Sequence, residues 1–197
     1  MNYRPAALAT GPVAVLSLVL LVVTLVVEGA ESDLAIAESP IAVASSVGAM
    51  AGLMLLALAL FRFMQELEPL REGLGLIGSN LAMVGILLGI GGAWSMVFVL
   101  PGLAAMDAGR EIAASGIPLV QAGFIASFIV LAIGWLLTAV SLVRSRAVPR
   151  WTAVLLLVGA VICIVPLPSR FFLIAIAVTV IEVKVLSQRR PEAVLVG

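Results

Sequence analysis

The sequence predicts an all-α fold: one integral membrane domain, residues 1–197, built as a bundle of six transmembrane helices with both termini cytoplasmic. Three observations predict it. Hydrophobic residues make up 63% and charged residues 11% of 197 positions, against roughly 45–50% and about 25% in soluble domains. The apolar residues gather into six runs long enough to approach or span a hydrocarbon core of about 30 Å. The eleven basic residues also divide unevenly between the two sides that six spans create.

The spans run from about 6–27, 40–64, 74–100, 118–143, 151–167 and 171–187. The first follows Arg4 and precedes the acidic stretch EGAESDLAIAES. A cleaved signal peptide is the competing reading, with Val27 and Gly29 as the small-residue site, but the run exceeds the usual ~7–15 apolar residues of such a peptide. The second opens on Ser39, an N-cap, and Pro40, whose missing N–H costs nothing at the first helical position. A hydrophilic turn from Arg62 to Glu72 leads to the third span, the longest apolar run, with seven glycines and no charge between Glu72 and Asp107. Pro101 and Pro118 bracket a stretch that suits a surface helix. The fourth span carries Gln121, Ser127, Trp135 and Thr138. RSRAVPR turns into the short fifth span, which ends in PLPSR before the equally short sixth.

With the N-terminus inside, the inner side and its helix ends collect Arg4, Arg62, Arg71, Arg144, Arg146, Arg150, Lys184, Arg189 and Arg190, and the outer side only Arg110 and Arg170. Nine against two follows the positive-inside rule and requires an even number of spans. Net charge is zero, so no global field attracts nucleic acid. The expected location is the cell (plasma) membrane, multi-pass, with membrane lipid as the surroundings.

Glu182 and Lys184 are the ionisable residues set inside a predicted span, and such a group is a functional hypothesis by default. Their position within two turns of the inner end favours a structural reading: Lys184 snorkels, and Glu182 pairs with an arginine such as Arg150 or Arg71. Asn80, next to Ser79, and Gln121 either line a polar cavity or hydrogen-bond across helices, the second being the commoner use of such groups. Asn80 lies toward the inside and Gln121 toward the outside, so they do not share one site. Glu28, Glu31, Asp33, Glu38, Asp107 and Glu111 either gather cations at a pore mouth or form a solvated outer face, the second being favoured; their spacing matches no calcium loop.

Small residues mark the packing faces. Gly85, Gly89 and Ala93 fall four apart in the central helix, and Gly48 and Gly52 make a second GxxxG. Lipid tails are as apolar as the helices, so close approach at small residues is a main source of helix association. Internal packing is expected over a homodimer face. Gly89, Gly91 and Gly92 invite a second reading, a broken helix at a binding site, though no proline accompanies them.

Histidine is absent, which removes His-ligated haem or zinc, His proton relays and Ser-His or Cys-His catalysis. The single cysteine, Cys163, cannot form an internal disulfide. HExxH, CxxC, GxSxG and P-loop motifs are missing, so no enzyme, metal or cofactor is expected.

Two stretches, FRFMQELEPLREGLGLIGSNLAMVGILLG and SRAVPRWTAVLLLVGAV, resemble those of uncharacterised six-helix bacterial membrane proteins grouped as domain-of-unknown-function families. The resemblance implies a six-helix inner-membrane fold and carries over no functional residue. The expected function is a non-enzymatic accessory or assembly subunit that binds other membrane components, a membrane-protein partner or further copies of itself. The alternatives are a small transporter or channel for an apolar or weakly polar solute, and a lipid- or pigment-binding protein. A water-filled cavity at Asn80 or Gln121 would favour transport, a packed interior with an apolar outer groove a partner subunit, and a cleft open to lipid the third reading.

Overall fold

The computed structural model describes residues 3–27, 38–106, 118–164 and 171–186, and all regular structure among them is helical. Helix α1 is Arg4–Val27 and α2 is Pro40–Glu66. Helix α3 begins as Gly73–Trp94 and continues through a π turn, Ser95–Val99, into Leu100–Ala104. Helices α4 and α5 are Pro118–Ser145 and Arg150–Ile162, and α6 is Phe172–Ile181 with a π turn over Glu182–Leu186. Four of them, α1 to α4, are long and apolar enough to cross a membrane.

Local chemistry sets several boundaries. Ser39 caps α2, its side chain accepting from the Ala42 amide at 3.1 Å, with Pro40 in the first turn. A short turn, Glu68–Leu70, joins α2 to α3, and Gly73 opens α3 at φ 51°, where a Cβ is disfavoured. Arg146, at φ 53°, makes the tight turn between α4 and α5. Helix α3 does not break at Gly89–Gly92 and does not stop at Leu100. The wider turn at Ser95–Val99, closed by the Leu100 amide on the Ser95 carbonyl, carries the chain past Pro101, which cannot donate to an ordinary helical ladder. The surface helix expected before Pro118 lies outside the described residues from 107 onward, as do residues 165–170 at the end of the fifth span.

Consecutive helices pack side by side and α6 returns against α1, which closes a ring. Arg4 and Glu182, Lys184 and Trp151, and Ser141 and Pro69 meet pairwise, so the ring has a basic end holding Arg4, Arg62, Arg71, Arg144, Arg146, Arg150 and Lys184.

The seam between α3 and α4 is the closest. A Cβ built on Gly78 would lie 2.6 Å from the Thr138 amide nitrogen, one on Gly85 would collide with the Leu131 backbone, and one on Gly134 with the Ala82 backbone. Gly92 receives the Phe124 ring in the same way. Backbones at this distance gain dispersion contacts along their length, which is how helices associate where the solvent is itself apolar. Leu53, Phe63, Ile86, Leu131, Trp135, Leu156 and Phe171 fill the interior.

Candidate functional site

The side chains with chemical capacity gather where α1, α2 and α6 meet at the basic end. Glu182 is fully buried there. Its Oε2 accepts from Arg62 Nε at 2.8 Å, and its Oε1 lies 3.8 Å from Arg4 Nε. Arg62 is itself buried, its side chain 5% exposed, whereas that of Arg4 is 41% exposed. The partners differ from those expected from the sequence. Arg71 instead donates to the Met64 carbonyl at 3.0 Å, closing the α2–α3 turn. The ring brings α1 and α2, not the α4–α5 turn, against the carboxylate. Lys184 is exposed, with its ammonium 5.2 Å from the centre of the Trp151 ring, so it faces α5.

One turn along α6, Thr179 joins the same seam. Its hydroxyl accepts from the Gly11 amide at 2.9 Å and lies 3.1 Å from the carbonyls of Ala7 and Ala175 as donor. Ala7 and Gly11 are the two ends of one helical turn, so the hydroxyl sits across the α1 ladder just before Pro12, whose missing N–H already weakens it. Between α1 and α2, Ser17 Oγ donates to the Ser45 carbonyl and Ser45 Oγ to the Ser17 carbonyl, each at 2.8 Å. Gly48 admits this clasp: a Cβ there would lie 3.2 Å from Ser17 Cβ. Gly52 faces the Phe171 ring. Side-chain oxygens and nitrogens in the interior therefore bond mainly to one another or to backbone. Trp135 Nε1 and Thr152 Oγ1 are buried without a hydrogen-bond partner among the described residues.

Asn80 is elsewhere. It is exposed on the outer face of α3, and its amide donates back to the Leu76 carbonyl at 2.8 Å. Among the described residues its side chain bonds to no other helix. Ser79, beside it, is buried and donates to the Leu76 carbonyl at 3.2 Å. Gln121 falls in α4, and its side chain lies outside what is described. Gly85 and Gly89 divide between neighbours: Gly85 meets α4, Gly89 meets Leu53 of α2, and Ala93 is buried farther along. The line that faces α4 is Gly78, Gly85 and Gly92, seven apart.

The outer face of α3 repeats with the same period. Ile77, Asn80, Val84, Leu87, Gly91, Trp94 and Phe98 are all exposed, and a Cβ on Gly91 would meet nothing within 4 Å. Trp94 and Phe98 pack on each other with ring centres 5.3 Å apart. This alternating three-and-four spacing places them on one face of the helix.

An apolar groove of about 570 Å³ opens on the outside between α1 and α6, lined by Gly11, Pro12, Leu16, Val19, Ile176 and Val180 among others. Among the described residues no three His, Cys, Asp or Glu side chains gather in a way that holds a metal ion.

These features define a class, a helical membrane protein with apolar side chains turned outward from a packed interior. No family model matches the chain, and neither a curated protein nor a solved structure matches it.

Proposed function

We propose that the chain is a six-span protein of the cell membrane with cytoplasmic termini, and that it acts as a non-enzymatic accessory or assembly subunit, holding another membrane protein against the outer face of α3. The observation that carries this reading is Asn80. Its amide stands on a lipid-facing line with Ile77, Val84, Leu87 and Trp94, and among the described residues it bonds only to the i−4 carbonyl of its own helix. An amide keeps an acceptor oxygen and a second N–H, which hydrocarbon cannot satisfy and a facing helix can. Gly91 lets such a helix approach closely on the same line.

Both short helices support the six-span count. Helices α5 and α6 pack in the ring between α4 and α1, and the sequence after the described end of α5 stays uncharged through Leu167, while α6 runs on past Ile181 in a π turn to Leu186. The basic end is then the cytoplasmic one. Transport is the weaker reading, because Glu182 is engaged by Arg62 in the interior and Asn80 stands outside it.

Purification of the tagged chain from its native membrane in mild detergent, with native mass and identification of what accompanies it, tests the proposal. The expected result is a stoichiometric membrane partner that is lost from the Asn80→Leu variant. A monomer without partner would sink the accessory role, and a homodimer lost in the same variant would assign the face to a second copy.

A further inference from the structure

The basic end of the ring is not uniformly charged. At one corner stand four exposed cations: Arg144 in the last turn of α4, Arg146 in the tight turn, Arg150 at the start of α5 and Lys184 at the end of α6. Helices packed side by side lie about 8–10 Å apart, so the facing ends of α4 and α5 hold their arginines within about one Debye length of each other at physiological salt. Lys184 stands beside them, over the Trp151 ring. Among the described residues none of the four forms an ion pair, and the first turn of α5 has no acid. The α2–α3 turn at the same end is built the other way. Glu66, Glu68 and Glu72 are exposed there against one exposed arginine, Arg71, whose Nε donates to the Met64 carbonyl. Membrane orientation asks only for basic residues on this side, and does not ask that acids be kept from one corner. Backbone geometry does not ask for arginine at position 146 either, since φ 53° is adopted more readily by glycine or asparagine.

We infer that this α4–α5–α6 corner binds the phosphate of an anionic phospholipid headgroup, with an acyl chain lying along Trp151, Val154 and Val158. Those three exposed side chains follow one another at i, i+3 and i+7, so they form one outward line on α5 that begins at the cations. Charge therefore meets apolar surface at a single boundary, marked by an exposed indole, which is the arrangement a membrane interface presents to its own lipids. A soluble phosphate uses the charge and leaves the line of Val154 and Val158 without a role; a phospholipid uses both. Arginine suits the phosphate better than a point charge does, because its planar fork can donate two parallel bonds to the oxygens. The site rests on the membrane-spanning reading of the chain. It is independent of the partner face on α3 and survives the failure of that proposal.

Native mass spectrometry of the full chain in detergent micelles, titrated with phosphatidylglycerol or phosphatidylcholine of identical acyl chains, tests it. Phosphatidylglycerol should be retained over phosphatidylcholine by at least about fivefold. Arg146→Gly removes one charge and suits the backbone at φ 53°, so the turn survives. It should lower phosphatidylglycerol retention by about fivefold, the equivalent of the roughly 1 kcal/mol that one basic side chain contributes near an anionic surface, and leave phosphatidylcholine unchanged. Glu68→Gln raises net charge by one at the same end but in the α2–α3 turn, and should leave both lipids unchanged. Inorganic phosphate in excess should not displace the lipid. Equal retention of the two lipids, no loss in Arg146→Gly, or a gain in Glu68→Gln as large as the Arg146→Gly loss would overturn the site. Displacement by inorganic phosphate would overturn the lipid as its occupant and assign the corner to a soluble anion.

Discussion

The α3–α4 and α1–α6 seams hold helices together by opposite means. Between α3 and α4, Gly78, Gly85 and Gly134 bring backbone against backbone, and Ser141 donates to the Pro69 carbonyl at the end of the seam. Between α1 and α6, the Thr179 hydroxyl bridges Ala7 and Gly11, Glu182 reaches Arg4 and Arg62, and a groove remains open outside them. Close packing tolerates no added atom, and polar clasps tolerate no lost partner. Where backbones already touch, hydrogen bonds are superfluous; where Pro12 interrupts the ladder, side chains supply what the backbone cannot.

The comparison can be broken most severely at the ion pair. Arg62→Met leaves the Glu182 carboxylate buried beside Arg4 alone and should destabilise the bundle by about 3–5 kcal/mol, measured by unfolding in mixed micelles. Replacing both, Arg62→Met with Glu182→Leu, should recover most of that loss, because an apolar pair needs no desolvation. Gly85→Leu attacks the other seam: its side chain meets the Leu131 backbone, and α4 must shift as a whole. The expected cost is about 1–3 kcal/mol or more, with no rescue from a second polar change. Thr179→Val removes the bridge but keeps the volume, and should cost on the order of 0.6 kcal/mol, the average for such bonds in membranes, with faster amide exchange at Gly11 as its local sign. Asn80→Leu should leave unfolding unchanged, since among the described residues its side chain bonds only to its own helix.

The helices were more legible in the sequence than their partners. Hydropathy marks a span because lipid demands a continuous apolar run, and Ser39 with Pro40 fixes the start of α2 by local capping. Which face meets which neighbour is hidden, since apolar side chains cover both the inside and the lipid side of α3. The four-residue spacing of Gly85, Gly89 and Ala93 suggested one face, yet positions four apart turn about 40° around a helix and positions seven apart only about 20°. Gly78, Gly85 and Gly92 therefore stay on α4 while Gly89 turns to α2. Glu182 is legible as an ionisable residue inside a span, but its partner Arg62 reads in the sequence as the start of the hydrophilic turn that follows α2. Its burial depends on α6 closing the ring, a long-range fact without local signature. Asn80 shows the same gap: its polarity was plain, and its outward direction was not.

The outward direction of Asn80 is what the proposed partner face on α3 rests on. A photo-crosslinking side chain at Leu87, compared with one at the equally lipid-facing Val158 of α5, tests it in native membranes. The account predicts a discrete protein adduct from Leu87 and only lipid adducts from Val158. Lipid alone at both positions, or the same protein adducts from both, would contradict it.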